Sequence, residues 1–265
     1  MKRKKMGILG CGYLGGIVAD AYLRGFLNAY ELVGVTSRSP ESVQALADKV
    51  GCTACANPET LLGLCPDIVV ETAGVAAVKE NAVKILEGGA DLVLISIGAL
   101  ADDAFRAEVE QTAARCGRKV YLASGAVGGF DVLSTVALMA QAEGKTPETS
   151  FSSLKRPGAL KGTPLYREEL EKEEGTAFEG TAKKAIEQMP THVNVAVATA
   201  LALSGPEALK MKMTGKPGFV GDEYFISASG ADVRAKLDIY SESSAIAGWS
   251  LVALLRNLAS PIELH

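Results

Sequence analysis

The sequence is poor in histidine, cysteine and aromatic residues, and it has no long apolar run. Only two histidines and five cysteines occur in 265 residues, and aromatic side chains make up 6%. No stretch reaches the roughly 18 consecutive apolar residues that a membrane-spanning helix needs. The basic start at residues 1–5 runs into a stretch broken by glycines, unlike a signal peptide. We therefore expect no membrane association.

Charge and composition indicate a folded protein with no nucleic-acid partner. The net charge is −4 and 48% of the residues are hydrophobic, whereas nucleic-acid-binding domains carry basic patches and disordered chains lack apolar residues. The length suggests one large domain or two ordinary ones. Five cysteines are too few for a disulfide scaffold, and their odd number favours a reducing compartment, so we expect a cytoplasmic protein.

Cys52 and Cys55 form a Cys-x-x-Cys pair. Zinc would need two further ligands, and no matching pair of cysteines or histidines follows. A redox pair would be expected at the start of a helix, whereas this pair precedes Asn57-Pro58. We interpret the cysteines as small buried hydrophobic residues and predict no metal site.

The first half alternates short β-branched runs with helical patterns, which predicts a Rossmann-type, doubly wound parallel sheet in an α/β protein. The predicted strands cover 6–9, 31–35, 67–71, 91–95 and 120–123, and the helices cover 15–24, 40–49, 76–87 and 102–116.

After Gly128-Gly129 the pattern changes to a second, mixed α/β domain with antiparallel strands. Its predicted strands are 150–154, 208–214, 224–229 and 233–240, and its helices are 131–141, 182–189 and 195–203. The charge run at 167–174 is typical of a solvated helix or a mobile loop. The predicted domains are residues 1–128, joined by a returning C-terminal segment at 241–265, and residues 129–240.

A Gly-x-Gly-x-x-Gly motif lies between the first predicted strand and helix. The first glycine allows a tight turn, the second lets the backbone approach a pyrophosphate, and the third permits close packing of helix and strand. This context predicts a dinucleotide site. Its residues in this sequence are Gly10, Gly12, Tyr13, Leu14 and Gly15.

The end of the second strand bears on the choice of cofactor. NAD sites carry an acidic residue about 20 positions after the glycine motif, which binds the ribose hydroxyls. Here that place reads Thr36-Ser37-Arg38-Ser39. A guanidinium with no adjacent carboxylate favours a 2′-phosphate, so Ser37 and Arg38 predict NADP, with NAD as the alternative.

Two further strand ends carry small residues that would let the backbone lie close to a nicotinamide ribose. They are Thr72-Ala73-Gly74, after the third long strand, and Ser96-Ile97-Gly98-Ala99, after the fourth. Ligands of such sheets bind beyond the carboxyl ends of the strands. Ala73 and Gly74 are therefore predicted to contact the cofactor.

Several segments together resemble the L-aspartate dehydrogenase family, in order and across nearly the whole chain. These segments are Ile68-Val69-Val70-Glu71-Thr72-Ala73, Ser96 to Asp102, Ser124 to Asp131, Lys155-Arg156-Pro157, Phe178-Glu179-Gly180 and Asn194-Val195-Ala196. The resemblance implies oxidation of aspartate with a nicotinamide cofactor. It also implies a homodimer formed through the second domain, and cofactor contacts by Ala126 and Asn194.

The resemblance implies a catalytic histidine in the second domain, and Tyr224 stands nearest to its place in this sequence. Two candidates for proton transfer follow. Tyr224 could act as an acid, although its ordinary pKa of about 10 would require a nearby cation for it to act as a base. His192 has a suitable ordinary pKa of about 6.5, and it could equally cap or pack the start of a helix.

A substrate with two carboxylates needs cations in its pocket. Lys155 and Arg156, with Lys161 behind them, are the predicted substrate-binding residues, and ordinary surface charge is the alternative. The implied partner is a small dicarboxylate amino acid or keto acid. Iminoaspartate is a precursor of the pyridine ring, so NAD biosynthesis is one role that the resemblance allows. Another NADP-dependent reductase of a small carboxylate, and a non-catalytic dinucleotide-binding sensor, are the alternative functions.

Overall fold

A computed structural model describes residues 3–189 and 193–264. The chain divides into two compact units. Unit 1 comprises the residues up to Gly125 together with those from Ala245 onward, and unit 2 is Ala126–Ser244. The sequence predicts that the first domain ends at 128, whereas unit 1 ends at 125. It predicts that the chain returns to this domain at 241, whereas the structure has the return at 245.

Unit 1 contains a six-stranded parallel sheet with the strand order β3-β2-β1-β4-β5-β6. Strands β1 and β4 lie in the centre and are buried along most of their length because helices cover them. The elements in chain order are β1 (Lys4–Leu9), α1 (Tyr13–Leu23), β2 (Tyr30–Thr36), α2 (Pro40–Val50), β3 (Thr53–Ala54), α3 (Pro58–Gly63), β4 (Ile68–Glu71), α4 (Val75–Glu87), β5 (Asp91–Leu94), α5 (Asp103–Cys116) and β6 (Val120–Leu122).

Unit 2 contains a five-stranded mixed sheet with the order β11-β10-β7-β9-β8. Strand β7 is central; it pairs antiparallel with β10 and parallel with β9. The elements are α6 (Phe130–Ala142), β7 (Glu148–Lys155), β8 (Gly175–Thr181), α7 (Ala182–Gln188), α8 (Asn194–Ala202), β9 (Lys210–Gly215), β10 (Asp222–Gly230) and β11 (Val233–Ser241). The predicted fold class, a Rossmann-type sheet with a second mixed domain, is confirmed.

The last helix, α9 (Ala245–Leu258), packs within unit 1 against α1. Gly248 makes this possible, because a Cβ at that position would lie 2.7 Å from the Ile17 Cδ1 atom. The buried Tyr30 hydroxyl donates a hydrogen bond of 2.8 Å to the Leu255 carbonyl. Ser250 accepts a bond of 3.0 Å from the Gly125 N–H, so the helix is tied to β2 and to the segment after β6.

Several short elements were not predicted from the sequence. Strand β8 is the largest of them; it lies at the edge of its sheet, and the register of its pairing with β9 shifts between Thr176 and Phe178. Part of the charge run, Glu168–Glu171, forms a single turn of 3-10 helix, anchored by the buried Leu170. Among the described residues, no helix combines the length and the apolar character needed to cross a bilayer.

Candidate active site

The glycine motif forms a tight loop between β1 and α1. Gly10 has φ +117°, and a Cβ there would lie 2.5 Å from the Thr72 carbonyl carbon. A Cβ on Gly15 would overlap the Gly10 carbonyl oxygen. Gly12, in contrast, has open space where its Cβ would be, and no acidic residue lies in the first turn of α1. The exposed N–H groups of this helix end therefore fit a dinucleotide pyrophosphate.

Thr72, directly after β4, holds this loop against the end of that strand. Its N–H donates a 2.7 Å bond to the Leu9 carbonyl, and its hydroxyl donates a 2.7 Å bond to the Gly10 carbonyl. The order of the strands reverses between β1 and β4, and such switch points are where open α/β sheets bind their ligands.

Glu71 joins the ends of β4 and β5. Its carboxylate is fully buried and accepts hydrogen bonds from the N–H groups of Ala73, Gly74 and Ser96 and from the Ser96 hydroxyl, at 2.7 to 3.1 Å. Burial raises the pKa of Glu71, and these hydrogen bonds oppose the rise. The network fixes the two small-residue loops predicted to approach the nicotinamide ribose.

Arg38 follows the end of β2. Its side chain is exposed and has no hydrogen-bond or ion-pair partner among the residues that the structure describes, and Ser37 before it is half-buried. Ser39 caps α2 by accepting a bond from the Ser42 N–H. The nearby acid Glu41 accepts a 2.9 Å bond from the Ser39 hydroxyl. The guanidinium of Arg38 is thus available to bind an anion.

The thiols of Cys11, Cys52 and Cys55 lie near one another in unit 1. Cys11 and Cys52 pack against its core, and the Cys11 thiol donates a bond of 3.6 Å to the Thr36 carbonyl. Burial, followed by the proximity of Cys52 and Cys55, raises the pKa of Cys11 to about 11. The thiol is therefore protonated at neutral pH. Within residues 3–189 and 193–264, no cluster of three metal-ligating side chains occurs.

Unit 2 contains a cavity of about 220 Å³ between the sheet, α8 and the 3-10 turn at Pro157–Leu160. Most of its wall is apolar, and its polar side chains project from the sheet, from the start of α8 and from one loop. The described lining residues are Phe151, Ser153, Lys155, Ala159, Leu160, Thr163, Met189, Val193, Asn194, Val195, Ala196, Met211, Met213 and Tyr224.

The pairing of β7 with β10 brings four polar side chains together, three of which line the cavity. Lys155 pairs with Asp222, and Ser153 pairs with Tyr224. Alternate residues of a strand face the same side, so these four side chains share one face of the sheet. The Lys155 ammonium lies 3.2 Å from the Asp222 carboxylate and 5.6 Å from the centre of the Tyr224 ring.

Lys155 and Tyr224 both stay protonated at neutral pH. Burial acts to lower the pKa of Lys155, but the Tyr224 oxygen and the Asp222 carboxylate together outweigh it and raise that pKa. Burial also raises the pKa of Tyr224, more than the neighbouring Lys155 ammonium lowers it. The cavity therefore holds an ammonium group and a phenol that can donate protons or hydrogen bonds.

The other predicted site residues are placed as follows. Asn194 begins α8 and lines the cavity, whereas Ala126 lies in the turn at the start of unit 2. Arg156 is exposed and lines a surface groove with Lys161, so the structure does not bring it to the cavity. Tyr13 is 61% exposed beside the glycine loop, and Leu14 packs against the core of unit 1. His192 lies outside the described residues.

Two residues of this constellation were missed by the sequence reasoning. Ser153 and Asp222 are named by no motif, and only the register of β7 against β10 places them beside Lys155 and Tyr224. The alternation of Phe151, Ser153 and Lys155 in a strand was the one available signal, because it puts these two polar residues on the same face as the buried Phe151.

Comparisons with known proteins find two family models that match successive parts of the chain. Residues 10–123 match the family model described as "Homoserine dehydrogenase, NAD binding domain", and residues 137–258 match "Aspartate dehydrogenase, C-terminal". The chain is 30% identical to the L-aspartate dehydrogenase of Methanocaldococcus jannaschii over 98% of both sequences. It is 33% identical to that of Ruegeria pomeroyi over 75% of this chain and 74% of the relative.

The chain belongs to the L-aspartate dehydrogenase family. Among solved structures, an aspartate dehydrogenase from Thermotoga maritima superposes with a TM-score of 0.73 at 23% identity, covering 100% of both chains. A scyllo-inositol dehydrogenase from Lactobacillus casei superposes with a TM-score of 0.61 at 11% identity, covering 97% of this chain and 87% of that one. These two likenesses concern the fold, and the first extends over the full length of both chains.

Members of this family bind a nicotinamide dinucleotide, and the loop at Gly10–Gly15 fits that cofactor. We expect Gly15→Ala to lower the free energy of unfolding by about 1 to 3 kcal/mol, as overpacking does, and to weaken NADPH binding. Gly16→Ala is the matched control. Its Cβ meets open space within α1, so it should raise stability by about 0.5 to 1 kcal/mol. Chemical denaturation and a fluorescence titration with NADPH measure both effects; equal behaviour of the two variants would contradict the assignment.

Proposed function

We propose that this protein is an NAD(P)-dependent L-aspartate dehydrogenase. The reaction converts L-aspartate to iminoaspartate, which water hydrolyses to oxaloacetate and ammonia; the reverse is the reductive amination of oxaloacetate. The observation that carries the proposal is the contact of Lys155 with Tyr224 and Asp222 at the polar end of an otherwise apolar cavity. The relatives named L-aspartate dehydrogenase support the choice of substrate.

When bound, the nicotinamide accepts a hydride from C2 of the amino acid or delivers one to the imine. The side chains of unit 2 would carry out the proton transfers and stabilise the charges that they create. In the reductive direction ammonia adds to the oxaloacetate carbonyl, and the resulting carbinolamine must lose water. The Tyr224 hydroxyl would donate the proton that the departing hydroxyl group needs. The Lys155 ammonium, held by Asp222, would stabilise the phenolate left behind.

The same groups serve the opposite direction. When water adds to the imine, a Tyr224 that has first released its proton to solvent would take one from that water, with the Lys155 charge beside it. Before hydride transfer the substrate ammonium must lose a proton to the solvent or to the site. Because Tyr224 and Lys155 are both protonated at neutral pH, the resting site is prepared for the reductive direction.

We propose NADP as the preferred cofactor, with NAD as the second choice. The support is the exposed Arg38 guanidinium after β2, which has no partner among the described residues, at the place where an NAD site carries a carboxylate. Ser37 would add a hydroxyl. Gly10, Gly12, Tyr13, Leu14 and Gly15 would bind the pyrophosphate, and Ala73 and Gly74 would lie at the ribose. Ala126 and Asn194 are further proposed cofactor contacts, which the family resemblance implies.

The remaining expectations are also proposals. A homodimer through unit 2 is supported by the sheet face opposite the cavity, where Phe225 is 43% exposed. A cytoplasmic location is supported by the five free thiols. A role in NAD biosynthesis rests on the chemistry of the product, because iminoaspartate supplies carbon and nitrogen for a pyridine ring. His192 stays the alternative proton-transfer residue to Tyr224.

A spectrophotometric assay at 340 nm tests the function. We expect reduction of NADP with L-aspartate, and oxidation of NADPH with oxaloacetate plus ammonia. Omission of ammonia is the control, because it separates amination from simple reduction of the keto acid. NADPH binding without turnover of either substrate would contradict the proposal and would favour a sensor; turnover of another small carboxylate alone would favour a different reductase.

Removal of the phenol hydroxyl tests the proton donor. Tyr224→Phe should lower kcat for reductive amination by about 10² to 10⁴, the usual contribution of a positioned acid, with NADPH affinity unchanged. Tyr240→Phe, on the outer face of β11, is the matched control.

Because burial raises the pKa of Tyr224, the phenol of the wild type should stay protonated to above the ordinary value of about 10. The wild-type rate should then show no decline from this group below that pH. A Tyr224→Phe variant with full activity would leave His192 as the candidate.

Removal of the guanidinium tests the cofactor preference. Arg38→Ala should weaken NADPH binding about 10- to 100-fold, as loss of a hydrogen bond to a charged group does, and should leave NADH binding unchanged. Arg115→Ala, in the last turn of α5, is the control for the loss of a surface charge. A fluorescence titration with each cofactor gives the result; tighter binding of NADH than NADPH by the wild type would contradict the proposal.

A further inference from the structure

One polar side chain in the cavity of unit 2 has no partner. Ser153 is 3% exposed, and its Oγ atom makes no hydrogen bond to any of the described residues. Its neighbours across the sheet are Tyr224 on β10 and Met213 on β9. A buried hydroxyl without a partner is costly, and native structures pair nearly all such groups. The Ser153 hydroxyl therefore lowers the stability of the folded protein, and a ligand that bonds to it would offset this loss.

The N-terminus of α8 forms the wall of the same cavity. Val193, Asn194, Val195 and Ala196 all line it. The first bond inside the helix runs from the Val197 N–H to the Val193 carbonyl, at 2.9 Å. The preceding N–H groups of Val195 and Ala196 have no acceptor within the helix, and they carry the positive end of its dipole. The helix is nine residues long, and such ends bind carboxylates and phosphates.

The charge of the cavity wall selects the ligand. Among the described lining residues, Lys155 alone is charged, and no carboxylate lines the cavity. Asp222 pairs with Lys155 from outside the lining set. A positive helix end, a hydroxyl donor and an ammonium group around about 220 Å³ fit a small anion. The methionines Met189, Met211 and Met213 form an apolar part of the wall, and the volume limits the ligand to a small one.

We propose that the Ser153 hydroxyl and the first turn of α8 form a carboxylate subsite, which binds one carboxylate of a small dicarboxylate substrate while Lys155 attracts the other. This inference rests on the proposed function, because it places the substrate in the cavity beside Tyr224. It assigns a substrate-binding role to Ser153, the residue directly opposite Tyr224 in the sheet.

The test uses succinate, a dicarboxylate without an amine, and measures its binding to the full chain by calorimetry in the presence of NADPH. Ser153→Ala should weaken succinate binding about 10- to 100-fold, the effect of losing a hydrogen bond to a charged group. Ser152→Ala is the matched control, because that residue lies on the opposite face of β7. Its affinity should stay within about twofold of the wild type.

Thermal unfolding distinguishes binding from a structural role. Because the Ser153 hydroxyl has no described partner, Ser153→Ala should keep or raise the Tm, whereas loss of a structural hydrogen bond would lower it. Wild-type affinity of Ser153→Ala for succinate, or a wild type that does not bind succinate, would overturn the subsite.

The subsite and the proposed function can fail separately. Aspartate turnover with an unchanged KM in Ser153→Ala would overturn the subsite and leave the function in place. Succinate binding that depends on Ser153, in a protein that does not turn over aspartate, would support the subsite and remove the function.

Discussion

The antiparallel register of β7 against β10 is the constraint on which the candidate active site depends. It pairs Ser153 with Tyr224 and Lys155 with Asp222. A shift of β7 by one residue would turn Ser153 and Lys155 to the face opposite Tyr224 and Asp222. The apolar members of the same face, such as Phe151 and Ile226, hold the register because they are almost fully buried. The hydrophobic core of unit 2 thus positions a polar site that the core alone would disfavour.

Tyr224, the predicted counterpart of the catalytic histidine of the family, lies beside a cation in this structure. An isolated buried phenol has a raised pKa and is a poor acid or base. Lys155 lies beside it and opposes that rise, while Asp222 fixes the ammonium. A cation is what a tyrosine needs in order to exchange protons, and the fold supplies one from the neighbouring strand. The composition alone, with its two histidines, left this chemistry open.

In unit 1 close backbone packing positions the loop that is proposed to bind the dinucleotide. Gly10 and Gly15 leave no room for side chains, and Thr72 bonds to the carbonyl groups of Leu9 and Gly10. The buried Glu71 carboxylate then ties the loops after β4 and β5 together. A rigid edge of this kind holds its N–H groups in place before a dinucleotide binds, so little ordering remains for binding to accomplish.

The sequence by itself determined the fold class, the dinucleotide loop and the family. Those features depend on local patterns: strand and helix periodicity, glycines at a fixed spacing, and ordered motifs along the chain. Edge strand β8 escaped prediction because its few residues include two glycines and pair irregularly. Lys155 and Tyr224 were identified as candidates, but their proximity was not. Only the tertiary structure decided that Ser153, Lys155 and Tyr224 line one cavity, with Asp222 paired to Lys155, while Arg156 faces the surface. Strand register and burial set those contacts, and both depend on residues distant in sequence.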